Sequence, residues 1–112
     1  MKTRVILDTD IGTDVDDFLA LSFLLASPEL QLEAVTCTYG DVQLRARITH
    51  KLLTISGNQH IPIYCGVSKP LLGLRPIYWP GHEGQGILKA NDLPISLPDE
   101  HAANYIVRTV MQ

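Results

Sequence analysis

The chain has 112 residues, about one small domain at roughly 100 to 200 residues each. Hydrophobic residues make up 46% and charged residues 19%, the composition of a folded globular chain rather than a disordered one. Nine Lys and Arg against twelve Asp and Glu leave a net charge of -3 and no basic block, which excludes a phosphate-neutralising surface for nucleic acid.

Arg4-Val5-Ile6-Leu7 is a short apolar run ending in acidic residues, and predicts a central strand whose carboxyl end opens onto a site. The apolar stretch ahead of Asp8 is too short for the core of a secretion signal. Asp16 to Ser27 is apolar nearly all round and predicts a buried helix, stopped by Ser27-Pro28 because a residue before proline avoids the α region. Phe18 to Ala26 within it is about half the ~20 residues a bilayer span requires, so no membrane partner is expected. Leu30 to Thr38 alternates and then turns apolar, the pattern of a second strand, with Gly40-Asp41 as a turn and helix N-cap. Leu44, Ile48, Leu52 and Ile55 recur at helical spacing with Arg45, Arg47 and Lys51 between them, predicting an amphipathic helix closed by Gly57-Asn58.

Ile61 to Cys65 reads as a third strand. Strand, helix, strand, helix, strand is the order of an α/β fold with a mainly parallel sheet and flanking helices. Residues 66–100 hold most of the prolines and five of the eight glycines, and read as a long irregular connection. His101 to Gln112 returns to a helical pattern that reaches the last residue with no C-cap and no following strand, so the architecture is expected to be truncated. Cys37 and Cys65 lie in apolar runs without metal-ligand spacing, and are expected to be buried free thiols of a cytoplasmic protein.

Five of the twelve carboxylates, Asp8, Asp10, Asp14, Asp16 and Asp17, fall within ten residues, where an even spread would put about one. They link the carboxyl end of the first strand to the first helix, the place where open α/β sheets bind ligands. Carboxylates crowded there repel one another unless a cation neutralises them, and oxygen-only ligands favour a hard ion such as Ca²⁺ or Mg²⁺. Alternatively, Asp14 or Asp16 caps the helix and the other acids decorate a turn. An EF-hand starting at Asp8 fails, because its sixth and twelfth positions are Thr13 and Leu19 instead of Gly and Glu. A haloacid-dehalogenase-like phosphotransferase also begins with a strand and Asp-x-Asp, with Asp8 as nucleophile, but the Asp16-Asp17 pair is no part of that signature.

Ile6-Leu7-Asp8-Thr9-Asp10-Ile11-Gly12, followed by Asp16-Asp17-Phe18-Leu19-Ala20-Leu21, resembles the N-terminal signature of the inosine-uridine preferring nucleoside hydrolases. Ala34 to Val42 and Gly81-His82-Glu83-Gly84-Gln85-Gly86 fall where that family places two further motifs. The resemblance covers essentially the whole chain and corresponds to the family's N-terminal third. It implies a Rossmann-like nucleoside hydrolase fold and hydrolysis of the N-glycosidic bond of ribonucleosides, with one Ca²⁺ holding the attacking water and the ribose hydroxyls. By the motif match, Asp10 would be a calcium ligand and the general base, Asp17 a calcium ligand, and Asp16 a ribose contact. These roles suit a metal that lowers the pKa of water beside a carboxylate able to take its proton.

The chain departs from the commonest family pattern in three places. Two residues are added between Gly12 and the Asp pair, so Asp14 competes with Asp16 for a role. The usual Gly-Asn is Gly40-Asp41, making Asp41 a candidate for the sugar or a plain N-cap. In the third motif the family's leading His aligns with Pro80, leaving His82 displaced by two positions beside Glu83, both loop candidates. Tyr78 and Trp79 offer either an aromatic face to a base or ordinary loop packing. The family draws its remaining calcium ligands from later residues, so a catalytically silent polypeptide is the competing expectation, and an uncovered apolar surface is expected to drive homo-oligomerisation.

Overall fold

The structure is a computed structural model and describes residues 1–92 and 94–112. Strands β1 (Thr3–Thr9), β2 (Leu30–Cys37) and β3 (Ile63–Cys65) pair in parallel in that spatial order, with one register shift between Val5 and Ile6. Alternation along each strand sends side chains to opposite faces. Leu7, Val35, Cys37 and Ile63 enter one core, whereas Ile6, Ala34 and Tyr64 enter a second core on the other face.

Helices α1 (Asp16–Ala26) and α2 (Val42–Ile55) connect successive strands and bring Leu21, Ala46, Ile48 and Leu53 to the first core. Parallel strands laid down in one direction place both crossover helices on the same face. Helix α3 (Ala102–Val110) covers the other face, where Tyr105 stacks on Tyr64 with ring centroids 4.1 Å apart and planes 17° apart. The architecture is therefore the expected α/β one, two helices over a parallel sheet and one beneath it. No described helix is long and apolar enough to cross a membrane.

Strand β1 extends two residues past the predicted Leu7, to Thr9, because its ladder with β2 runs through to Cys37. Helix α1 is not buried as expected. Only Leu21 is fully enclosed, and Leu19 and Phe23 are more than 60% exposed, because the sheet covers one side of an apolar helix. Its N-cap is Val15 with no side-chain cap bond, so neither Asp14 nor Asp16 caps it. Helix α2 buries Ile48 of the predicted line and packs Leu44 and Leu52 against the core, but its buried face also takes in Arg45, Ala46, Thr49 and Leu53, and Ile55 is exposed. Residues 66–100 contain no helix or strand among those described, yet Leu88, Ile95 and Leu97 pack on the first core and Lys51 pairs with Asp92. Cys37 and Cys65 are both free; the first is buried and the second only half-buried.

Candidate functional site at the carboxyl end of the sheet

Thr9, the last residue of β1, is buried, and its hydroxyl donates to Asp17 Oδ2 at 2.5 Å while accepting the Ile11 N–H at 3.0 Å. One hydroxyl thus folds the loop back so that the strand end meets the first turn of α1. Asp10 and Asp17 adjoin there. Asp10 is exposed, but partial desolvation, then the neighbouring Asp17 carboxyl and its negative charge, push its carboxyl above the usual carboxylate range, against the pull of the Arg45 guanidinium. Asp16 stands exposed in the first turn of α1, and Asp14 turns back to accept the Val15 N–H at 2.7 Å. Asp8 points away from this pair and accepts the Thr36 hydroxyl at 2.6 Å.

Arg45 was expected on the polar face of its helix, but its side chain is 1% exposed and lies under the acidic loop. Nη1 donates to the carbonyls of Asp10 (2.7 Å) and Ile11 (3.0 Å), and Nε donates to the Tyr39 carbonyl at 2.6 Å. Nη2 lies 3.7 Å from Glu83 Oε1 and has no hydrogen-bond partner among the described residues. The sequence hid this because the partners are backbone carbonyls of loops. A signal was nonetheless present in Ala46 and Thr49, small residues flanking Arg45 on a face that a solvated helix would fill with charge. Gly12 makes the close approach possible: at φ 119° it is in a region few side chains adopt, and a Cβ there would stand 2.8 Å from Ile48 Cδ1.

The second loop turns at Tyr39 (φ 71°) and Gly40 (φ 73°). The Tyr39 N–H donates to the Val67 carbonyl at 2.8 Å, its hydroxyl accepts the Tyr78 N–H at 2.7 Å, and Gly40 N–H donates to Ser68. Asp41 is the N-cap of α2: its Oδ1 accepts the Leu44 N–H at 3.0 Å.

The third loop lies against the first. His82 Nε2 donates to the Thr13 carbonyl at 2.7 Å, and the ring stacks on Trp79 with centroids 4.1 Å apart. His82 Nδ1 and Thr13 Oγ1 are buried without partners among the described residues. Glu83 faces inward. Its Oε2 accepts the Gly81 N–H at 2.7 Å and its side chain is 6% exposed. Burial raises the Glu83 carboxyl, but the N–H groups of Glu83 and Gly81, with Arg45 and His82, outweigh this and hold it below the usual range. Tyr39, Tyr78 and Trp79 line an open groove of about 560 Å³ that no acidic-loop residue enters.

The structure therefore joins Asp10, Asp17, Arg45 and Glu83 in one network, with His82 bracing it, and leaves Asp16 at its exposed rim. Asp41 gives one carboxylate oxygen to its own helix. Two adjoining carboxylates have the all-oxygen chemistry that suits a hard cation. Among the described residues, however, no three His, Cys, Asp or Glu side chains converge as ligands.

The family model for the inosine-uridine preferring nucleoside hydrolases matches residues 5–112. The inosine-uridine preferring nucleoside hydrolase of Crithidia fasciculata is 32% identical over 119 aligned residues, covering 99% of this chain and 36% of that enzyme. The pyrimidine-specific ribonucleoside hydrolase of Enterobacter sp. (strain 638) is 42% identical over 76 residues, 64% of this chain and 23% of that protein. Among solved structures, a plant nucleoside hydrolase superposes with a TM-score of 0.78 at 28% identity, covering 99% of this chain and 36% of its own. The purine-preferring ribonucleoside hydrolase from Gardnerella vaginalis gives 0.79 at 28% identity, covering 98% and 37%. The matched region spans from about a quarter to little more than a third of the length of these relatives, and the chain belongs to the inosine-uridine preferring nucleoside hydrolase family.

Proposed function

We propose that this chain is the N-terminal part of a nucleoside hydrolase domain and carries the cation-binding and base-catalytic portion of a ribonucleoside N-ribohydrolase. The observation that carries the proposal is the meeting of Asp10 and Asp17 at the carboxyl end of β1, organised by Thr9. Asp10 and Asp17 would hold a divalent cation, Ca²⁺ by family resemblance. When bound, such a cation supplies positive charge that lowers the pKa of water. Asp10, raised above an ordinary carboxylate by partial desolvation and by Asp17, accepts the proton of the attacking water. Asp16, exposed at the rim, contacts a ribose hydroxyl, and the surrounding negative charge favours the cationic character that the sugar develops as the bond to the base breaks. Asp41 keeps one carboxylate oxygen for its helix, so a contact to the sugar falls to the other. His82 and Glu83 support the loop from behind.

The phosphotransferase alternative needs Asp8 as nucleophile, whereas the Asp8 carboxylate is engaged by Thr36. A catalytically silent polypeptide is the second reading, favoured by the shortfall of ligands among the described residues, since calcium takes six to eight oxygens. A calorimetric calcium titration of the metal-stripped chain, with the Asp10→Ala, Asp17→Ala double variant as blank, tests the site. One-to-one binding lost in the variant, followed by release of free base from a ribonucleoside, supports the hydrolase. Binding without base release supports the silent polypeptide, and heat no greater than the blank's overturns the cation site.

A further inference from the structure

Three segments far apart in sequence, residues 10–11, 39 and 83, converge on a single side chain that itself reaches neither the aromatic groove nor solvent. Arg45 has one rigid fork, and each arm is committed to a different loop: Nη1 to the Asp10 and Ile11 carbonyls, Nε to the Tyr39 carbonyl, Nη2 toward Glu83. We propose that Arg45 is a positioning residue, whose guanidinium sets the backbone of the acidic loop and locks it to the second and third loops so that Asp10 and Asp17 stay facing each other.

The geometry favours this role over plain core filling. A buried cation surrendering its hydration needs compensating acceptors, and here most are loop carbonyls that no helix or sheet ladder uses. The planar guanidinium presents donors in fixed directions, which a lysine ammonium cannot reproduce at three separate carbonyls. Removing the fork frees carbonyls at residues 10 and 11, immediately beside the candidate ligand, whereas the apolar packing of α2 through Ile48 and Leu53 is untouched. Gly12 is consistent with the inference: a Cβ added there would be in van der Waals contact with Nη1, 3.7 Å away, so the loop packs against the guanidinium.

The inference deepens the cation-site reading and rests on it only for its effect on binding, so two readouts separate them. The first needs no metal. Amide hydrogen exchange is compared among the unsubstituted chain, Arg45→Lys and Leu53→Ala, the last removing a buried side chain of the same helix two turns on. Arg45→Lys is expected to speed exchange of the Ile11 and Tyr39 amides about tenfold more than that of Val35 in mid-sheet. Leu53→Ala is expected to shift all three alike. Equal shifts in Arg45→Lys would overturn the proposal. Should Arg45→Lys not fold, the Arg45 Nε proton of the unsubstituted chain decides: slow exchange with water supports the fork, and solvent-like exchange overturns it. The second readout is calcium titration of the same proteins, where Arg45→Lys is expected to bind about tenfold more weakly and Leu53→Ala unchanged. Unchanged affinity in Arg45→Lys overturns the role toward the cation. Absence of binding in every chain overturns the cation site itself, while the exchange result still decides whether Arg45 positions the loop.

Discussion

Thr9 Oγ1 and Asp17 Oδ2 are 2.5 Å apart across eight residues, so the end of the first strand and the start of the first helix are tied through a threonine hydroxyl. The same oxygen accepts the Ile11 N–H. Thr9→Val keeps the branched shape and removes both bonds, leaving the buried Ile11 N–H unpaired and Asp17 without its hydroxyl donor. Urea unfolding is expected to show a loss of about 2 kcal/mol, the range for a hydrogen bond to a charged group. A midpoint within error of the unsubstituted chain would show that the bond contributes nothing.

Gly12→Ala places a side chain at φ 119° and against Ile48. The expected cost is about 1–3 kcal/mol for the backbone alone. Adding Ile48→Val relieves the contact but not the dihedral, so the double variant should recover only part of the loss in thermal melting. Full recovery would assign the effect to crowding.

Glu83 is held below its ordinary range by donors present only in the folded chain. A depressed folded value adds stability above the unfolded pKa, and that stability disappears as pH falls through the folded value. The urea midpoint difference between the unsubstituted chain and Glu83→Gln should therefore be full at neutral pH and shrink below about pH 4.3, the ordinary glutamate value. A difference that stays constant from pH 7 to pH 3 would contradict this.

Burial pushes the Cys37 thiol up to about 12, outweighing the Thr49 hydroxyl contact, while the half-buried Cys65 is raised chiefly by burial. Since the thiolate is the nucleophile, alkylation at pH 8 should label Cys65 slowly and leave Cys37 unmodified until denaturant is added. Two fast equivalents in the native chain would refute the burial of Cys37.

Leu71, Leu72 and Leu74 are each at least 80% exposed, Leu19 and Phe23 project from α1, and β1 is an edge strand. Exposed apolar residues of this extent and an open edge favour self-association. Light scattering is expected to give a mass above the 12.4 kDa of one chain, and a monodisperse monomer would argue against it.

The strands and the acidic loop were legible because they are written in local pattern. Arg4 to Leu7 and Leu30 to Thr38 carry strand composition within a few residues, and five carboxylates in ten mark out the acidic loop. The cap at Asp41 was legible for the same reason, a short side chain before an apolar repeat. Arg45 was not. Its environment is set by loops that close over it, and a charged residue among apolar ones at helical spacing reads as solvated until those loops are placed. The exposure of α1 likewise depends on how much of its circumference one sheet covers. His82 and Glu83 were found as loop candidates, but only the fold shows that they turn inward toward Thr13 and Arg45.

Tyr39 holds four attachments: its N–H to Val67, its carbonyl to Arg45, its hydroxyl to Tyr78, and its ring 6.0 Å from the Arg45 guanidinium. Mechanically it is a joint with no free axis. The segment bearing Tyr78 and Trp79 cannot swing away without dragging the phenol or severing it, so any opening of the aromatic groove is geared to the second loop. A glycine there would ease a backbone held at φ 71° and would also uncouple that gear, leaving the groove to move on its own.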